Sequence, residues 1–519
     1  MRIKELKLNH FKNLRDFEIH FDSGPITTVL LGQNGTGKSN LLEALVIIFR
    51  DLDLGELPTI DYSILYECRG NEVRIASNRR NDTSQIQITV DGQPVSYASF
   101  CNDSERKFLP SNVFGYYSGP SSRFEAHFAK HQDKFYRQLL ANTPGTALRS
   151  LFYARLIHSQ FVLLAFFYEQ DEQCADFLRR YLGIEQLESV LFVLKTPPWS
   201  RKEGDPRFWG ARGAVRDFLD RLYRYALAPI KLKQRIDLGF RKFVTQDRLY
   251  LFLKDRSALE QLGTDYVTSG EFFKALESTY LSNLLAEVRI RIKMPDQPAA
   301  LTFRELSEGE QQLLTVLGLL RFTRDDEALF LLDEPDTHLN PLWSLHYLEL
   351  VKEVVGEQKT SQIIMATHDP LTIGGLTRQE VRVMYKDPAT RSISARVPSH
   401  DPKGMGVSGI LTSDLFGLRS DLDPKTLCSL DEQRDLEVKM DLTEEDKQRL
   451  AELRKELKDV DISARVRDPL FRDFVKAMVS EGAYQEVQDL VLTPDQKKRR
   501  EELASKALRE VQGLKVTNR

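Results

Sequence analysis

Gly32-Gln33-Asn34-Gly35-Thr36-Gly37-Lys38-Ser39 constrains this chain more than any other stretch. It fits GxxxxGK[ST] in full, with the apolar run "ITTVLL" before it and the helical pattern "NLLEALVIIF" after it. Its glycines let the backbone curl until successive N–H groups and the helix N-terminus face an anion. In such a loop Lys38 places a point charge on the β- and γ-phosphates, Ser39 ligates magnesium, and Asn40 follows directly. The short apolar run suits a buried parallel strand, so an α/β fold is expected.

Two later strands end in residues that suit the same chemistry. "ALFLLDEP", 328–335, is apolar and closes on two acids. Asp333 is placed to hold the magnesium through water, and Glu334 to orient or deprotonate an attacking water. Adjacent carboxylates at the mouth of a buried strand are costly unless a cation compensates them. "SQIIMATHDP" is a second apolar strand, and His368 at its end could donate to the γ-phosphate or to that water. A lone histidine there reads as structural; the order of phosphate loop, acidic strand and histidine strand reads as catalytic, with Glu334, His368 and Lys38 as the set.

"LSEGEQQLLTVLGLL" opens on Ser307-x-x-Glu310, a capping box, and carries an apolar face of Leu313, Leu314, Leu317 and Leu320. An amphipathic helix alone accounts for all of this except Gly309. That glycine permits close backbone approach in the first turn, where helix N–H groups and Ser307 could receive an anion.

Charge gives no global signal: 73 Lys and Arg against 76 Asp and Glu leave a net charge of -3, so any nucleic-acid surface must be a local patch. The best candidate is "KLKQRIDLGFRKF", where Lys231, Lys233, Arg235, Arg241 and Lys242 interleave with Phe240 and Phe243. A solvated helix face is its plainer reading. Cys68, Cys101, Cys174 and Cys428 are scattered without a CxxC, which argues against zinc or a disulfide framework and suits a reducing cytoplasm. "FVLLAFFY" is too short to cross a bilayer, which takes about 20 residues, and reads as a buried helix; no membrane role is expected. The start, "MRIKELKLNHF", lacks the apolar core of a signal peptide.

Along the chain, 1–122 reads as strands, phosphate loop and an antiparallel β lobe with turns at Arg69-Gly70-Asn71 and Asp91-Gly92. Residues 123–285 read as an inserted, mainly helical lobe, 286–400 as a return to parallel α/β patterning, and 401–519 as a Gly-rich segment with charged helices. One of those helices is expected to start at Thr493-Pro494, with Gln496 completing its cap.

Together "GQNGTGKS", "LSEGEQ", "LFLLDEP", "HLNP" and "ATHD" resemble the motif set of the ABC-type ATPases: Walker A, signature, Walker B, D-loop and switch histidine. The opening "KLNHFKNLRDFEIHF" is similar to the RecF, Rad50, SMC and OLD-type branch, which acts on DNA or in phage defence. The resemblance implies an ABC-type head, a mixed or parallel sheet plus an antiparallel β lobe, that binds ATP and Mg2+ and hydrolyses ATP. It implies head-to-tail pairing as a homodimer or higher even oligomer. Ser307, Gly309, Glu310 and the D-loop's Leu339 and Asn340 would then serve the nucleotide on the other copy's Gly32–Ser39 loop. Lys12 falls where the branch often has a basic residue near the nucleotide; a solvated turn lysine is the alternative. No glutamine stands near Tyr117 to Gly119, where the family has its Q-loop.

Within the branch, "RYLGIEQLESVLFVLKTPPW", "FWGARGAV" and "GILTSDLFGL" resemble the PtuA-type ATPase subunits of Septu-like and retron-associated antiphage systems, which work beside an HNH nuclease. That resemblance implies a nuclease partner docked on 401–519. The strand-end Glu and later DxD of a Toprim domain do not appear, so intrinsic nuclease activity is not expected. The alternative is a RecF-like repair ATPase that clamps DNA.

Overall fold

Alternating side chains at the start of the chain build a hairpin. In a computed structural model, β1 (Arg2–Phe11) buries Ile3, Leu6 and Leu8 and pairs antiparallel with β2 (Leu14–His20). β3 (Thr27–Leu31) then leads through the phosphate loop into helix α1 (Lys38–Leu54). β4 (Tyr62–Cys68), β5 (Asn71–Arg80), β6 (Thr83–Val90) and β7 (Gln93–Val95) complete a six-stranded sheet, order β2-β1-β4-β5-β6-β7, antiparallel throughout. Its tight turns hold Arg69, Gly70, Asp91 and Gly92 at positive φ, the geometry that twisted two-residue hairpins require. The expected β lobe and both of its turns are present.

The structure describes residues 1–457 except 23, 81–82, 104–105, 142–149, 169–171, 201–202, 238–242, 265, 267, 296–299, 323–326, 356–359 and 440, together with 474, 477–478 and 494–516.

After α2 (Tyr97–Cys101) and β8 (Val113–Tyr117) come α3 (Ala129–Ala141), β9 (Leu151–Tyr153), α4 (Ile157–Tyr168) and α5 (Glu172–Leu182). The apolar run from Phe161 is the buried helix expected of it. The lobe is not only helical, however. β10 (Gln186–Lys195), α6 (Gly213–Tyr225), β11 (Ile230–Asp237), β12 (Phe243–Leu253), α7 (Arg256–Gly263), α8 (Ser269–Leu281), β13 (Leu285–Lys293) and β14 (Leu301–Thr302) follow. Their strands form a five-stranded antiparallel sheet, order β11-β12-β10-β13-β14. Residues 231–237 of the basic stretch expected on a helix face thus lie on the edge strand β11, and the division at 285/286 cuts through β13, which pairs with β10 rather than with the parallel sheet. Period-two burial decides this: Val190, Phe192, Leu194, Leu249, Leu251 and Leu253 all face inward.

α9 (Glu308–Phe322), β15 (Leu329–Asp333), α10 (Pro341–Val355), β16 (Gln362–Ala366), β17 (Val381–Lys386) and β18 (Ile393–Arg396) close the head. The seven-stranded sheet runs β18-β17-β3-β16-β15-β8-β9 and is parallel except for the β17–β18 pair. Every residue of β3, β15 and β16 is buried, as strands covered on both faces must be.

The chain separates into two compact units, Met1–Ile373 with Thr377–Val397, and Gly374–Leu376 with Pro398–Arg519. The second holds α11 (Gly406–Thr412), α12 (Pro424–Val438), α13 (Glu444–Glu456) and α14 (Pro494–Val516). Leu427, Leu430, Leu450 and Leu453 are its buried apolar residues on α12 and α13, and Arg449–Glu432 and Arg454–Glu437 bridge those helices at 2.7 and 3.0 Å. Such exposed pairs contribute at most ~1 kcal/mol each, so the leucines dominate. α14 starts at Pro494 as expected; Thr493 lies outside the described residues, and so does the side chain of Gln496. Among the described residues no helix is long and apolar enough to cross a membrane.

Leu313, Leu314, Leu317 and Leu320 are all buried, and Gly318 lets α9 lie against α4, because a Cβ there would overlap Val162 Cγ1. Gly318→Ala gains about 1 kcal/mol of helix propensity and loses ~1–3 to overpacking. The net expectation is a lower urea midpoint, partly restored by adding Val162→Ala.

Candidate active site

Strand register assembles the site. Asp333 of β15 lies opposite Ala366 of β16 and Tyr117 of β8, and Ala366 lies opposite Leu30 of β3. The exits of four parallel strands therefore open at one edge, where α/β sheets bind ligands.

The phosphate loop leaves β3 at this edge. Gly37 caps α1 at φ 91, and a Cβ on it would stand 2.8 Å from Leu14 Cδ2, so the position needs glycine twice over. Thr36 Oγ1 donates to the Gln33 carbonyl (2.8 Å), and Lys38 Nζ to the Gly32 carbonyl (2.7 Å). Asn13, in the β1–β2 turn, donates to the Gly35 carbonyl (2.8 Å) and accepts from Asn40 Nδ2 (2.6 Å). The turn thus braces the loop through Asn13. Lys12 beside it pairs with the buried Glu43 of α1, which Arg123 and His127 also contact.

Asp333 is buried and takes a hydrogen bond from Ser39. Burial first, and the neighbouring Glu334 charge after it, push its carboxyl up to about 6, against the Ser39 bond and the Lys38 and Arg123 charges. Lys38 shows the complement: burial lowers its ammonium while Glu334 and Asp333 raise it. The Oδ1 of Asp333 is buried with no hydrogen-bond partner among the described residues. A serine hydroxyl beside an uncompensated carboxylate oxygen fits a hard divalent cation, so Ser39 and Asp333 are the residues that would hold Mg2+. No cluster of three or more His, Cys, Asp or Glu among the described residues could hold a metal by itself. Phosphate oxygens and water would complete the shell, as is usual for magnesium.

Glu334 sits at φ 53, a left-handed conformation that side chains other than glycine adopt at a cost. Its N–H donates to the Ala366 carbonyl (2.8 Å), and its own carbonyl accepts from Thr337 Oγ1 (3.0 Å) and Gln312 Nε2 (3.4 Å). His368 Nδ1 lies 3.3 Å from its Oε1. Asp336, buried, accepts from Thr367 Oγ1 (2.6 Å) and Thr372 Oγ1 (2.7 Å), which fastens the turn after β15 to the end of β16.

Lys38, Ser39, Asp333, Glu334 and His368 are therefore brought together in one head. Ser307, Gly309, Glu310 and Asn340 are engaged elsewhere. Ser307 and Glu310 complete the expected capping box, with contacts of 2.6, 2.8 and 3.3 Å. Gly309 lies so close to the His338 carbonyl that a Cβ would overlap it, and Asn340 caps α10 through Trp343 N at 2.9 Å. Among the described residues no hydrogen bond or ion pair joins these four to Gly32–Ser39. Asn13, Gln312 and Asp336 escaped the sequence reading; Asn13 alone had a local signal, its place beside Lys12.

A family model described as "AAA domain, putative AbiEii toxin, Type IV TA system" matches residues 27–374. The Septu protein PtuA of Bacillus mycoides (strain KBAB4) is 30% identical over 156 residues, covering 28% of this chain and 21% of that protein. The DNA replication and repair protein RecF of Latilactobacillus sakei subsp. sakei (strain 23K) is 46% identical over 48 residues, 9% of this chain and 12% of that protein. The matched segments span no more than 21% of either relative. Among solved structures, an SmcHead bound to the C-winged helix domain of ScpA aligns over 76% of this chain and 98% of that chain, at 14% identity and TM-score 0.34. RecF-ATP of the RecFOR pathway aligns over 76% and 97%, at 15% identity and TM-score 0.28.

A carboxyl that titrates near 6 instead of 3.8 favours the fold when protonated, and that stability is lost as pH rises through 6. Asp333→Asn should therefore stabilise the fold by ~2–3 kcal/mol at pH 7–8 without added magnesium or nucleotide, read as a higher thermal midpoint, and change little below pH 4. The same variant should lose magnesium-dependent hydrolysis, assayed as phosphate release.

Proposed function

Given that this chain belongs to the family described as "AAA domain, putative AbiEii toxin, Type IV TA system", we propose that it is a nucleotide-driven switch that pairs two heads around ATP and regulates a partner effector. Its class is plain: an ATPase of the RecF and PtuA type, for which ATP binding and hydrolysis are implied. The finer reading rests on one observation. The hydrolytic residues converge on one edge of the head, while Ser307, exposed at the start of α9, has no bond to the phosphate loop of its own chain.

In this reading Lys38 and the loop amides hold the β- and γ-phosphates, and bound Mg2+ would neutralise phosphate charge. Glu334 orients a water for attack on the γ-phosphorus and takes its proton as the bond to the β-phosphate oxygen breaks. His368, 3.3 Å from Glu334, donates to the γ-phosphate. Ser307, Gly309, Glu310 and Asn340 meet the nucleotide of a second copy, so closure needs two ATP-loaded heads. In this reading the setting is antiphage defence, which the Septu likeness supports, and the effector is a nuclease of the HNH type docked on 401–519.

A second reading, a DNA-clamping repair ATPase, is favoured by the edge hairpin. β12 pairs with β10 only from Arg248 onward, so Phe243–Asp247 and their partners on β11 project as a two-stranded ribbon. Alternation puts Lys231, Lys233 and Arg235 on one face, with Arg235 3.9 Å over the Phe243 ring. Arg241 and Lys242 lie outside the described residues.

Glu334→Gln is expected to slow ATP hydrolysis about 100-fold or more while retaining ATP and gaining a paired species on gel filtration. A variant that neither retains ATP nor pairs would remove the composite site. Ser307→Arg should leave ATP binding by single heads nearly intact and abolish ATP-dependent pairing. For the second reading, reversing Lys231, Lys233 and Arg235 to Glu should weaken duplex binding and flatten its log-log salt slope by about 3. A slope already near zero in the parent chain would exclude DNA clamping.

A further inference from the structure

The carbonyl of Glu334 is a meeting point of two elements. Thr337 reaches it from the turn after β15 at 3.0 Å, and Gln312 reaches it from α9 at 3.4 Å. Because Glu334 is left-handed at φ 53, the aim of its carboxylate depends on how firmly this peptide is held. Gln312 is buried on α9, at 1% exposure, five residues after Ser307, which caps that helix. Its Nε2 points at Glu334, and its Oε1 has no hydrogen-bond partner among the described residues. Burying an amide with one side unsatisfied disfavours the fold relative to an apolar side chain of equal size, so packing does not explain a glutamine here.

The first turn of α9 leans on the same turn. Gly309 packs against the His338 carbonyl, and Glu308 lies 3.4 Å from His338 Nδ1. A movement of the Ser307 end of α9 is thus felt by the segment that follows Glu334 and by Gln312 beneath it. At 3.4 Å the Gln312 contact is at the long end of the hydrogen-bond range, and a small advance of α9 tightens it.

We propose that Gln312 is a positioning residue that carries the docking of α9 to the peptide aiming Glu334. Hydrolysis in each head then depends on whether its own Ser307 end is seated on a second copy's nucleotide. This rests on the head-to-tail reading above. It adds the in-chain route by which seating is sensed.

Gln312→Met keeps the volume and removes the amide. Turnover per head in the parent chain is expected to rise with chain concentration as heads pair. In Gln312→Met it stays flat, kcat at full pairing falls about tenfold, and KM for ATP moves less than about twofold. The thermal midpoint of the variant is at or above the parent's. Pairing is read separately by gel filtration with ATP, in Glu334→Gln and in Glu334→Gln/Gln312→Met. If Glu334→Gln does not pair, the head-to-tail premise fails. If both pair and Gln312→Met turns over like the parent, the role given to Gln312 fails. A joint fall of kcat and thermal midpoint, with the concentration dependence kept, would make Gln312 a packing residue and overturn the proposal. Should Gln312→Met not fold, Gln312→Asn, which withdraws the amide by one methylene, and Thr337→Val, which removes the other side-chain donor to the carbonyl and leaves the Thr337 N–H in place, are measured against the same outcomes.

Discussion

Parallel pairing of β3, β16, β15 and β8 in a single register is the constraint on which every distance in the site depends. Strands buried on both faces leave little side-chain pattern to choose a register, because any slip still buries apolar residues. Here polar bonds just beyond the strand ends supply the choice. The N–H of Glu334 meets Ala366, that of Ser118 meets Asp333, and that of Thr367 meets Leu30, at 2.8, 3.3 and 3.2 Å. Asp336 adds a side-chain clasp to Thr367 and Thr372. The groups that lock the sheet are therefore the immediate neighbours of those assigned to chemistry.

Two buried carboxylates show how the head distributes charge. Burial raises both. For Glu43 the close contacts with His127 and Lys12 and the charges of Lys12 and Arg123 outweigh it, and the carboxyl ends below its usual range. For Asp333 the Ser39 bond and the more distant cations do not, and Glu334 adds to the burden. One acid is ion-paired with Lys12, Arg123 and His127 and holds α1 to the β1–β2 turn and to the segment after β8. The other is left unsatisfied in a place where a cation and a phosphate chain relieve it. Local stability is given up where binding needs it.

The phosphate loop, the two acid- and histidine-terminated strands and the α9 cap were legible because their signals are contiguous: a fixed spacing, an apolar run, a box of four residues. The Arg69-Gly70 and Asp91-Gly92 turns were legible for the same reason. The sheet inside 123–285 was not. "QLESVLFVLK" and "RLYLFL" are rich in Leu, which favours helices as readily as buried strands, and only the pairing of β10 with β13 and of β12 with β10 settles their state. Along "IKLKQRID" the period-two alternation was visible in Ile230, Leu232 and Lys231, Lys233, yet the density of charge drew a helical reading. Gln312 could not be singled out, since its partner lies 22 residues away and is a backbone atom.

Connectivity also fixes when this head can come into being. β3 and the phosphate loop are among the first segments made, yet both strands that flank β3 lie more than three hundred residues further on. At ~5–20 residues per second a ribosome needs roughly 20–60 s to supply them. During that interval the antiparallel sheet of β1, β2 and β4–β7 can close on itself, while β3, all five of whose residues end up buried, waits without neighbours. The nascent chain thus carries a nucleotide loop that the β1–β2 turn can brace through Asn13, but whose own strand still lacks both of its neighbours. Competence to bind ATP arrives late and abruptly, as β16 emerges, and the long wait makes β3 the segment most in need of chaperone cover during synthesis.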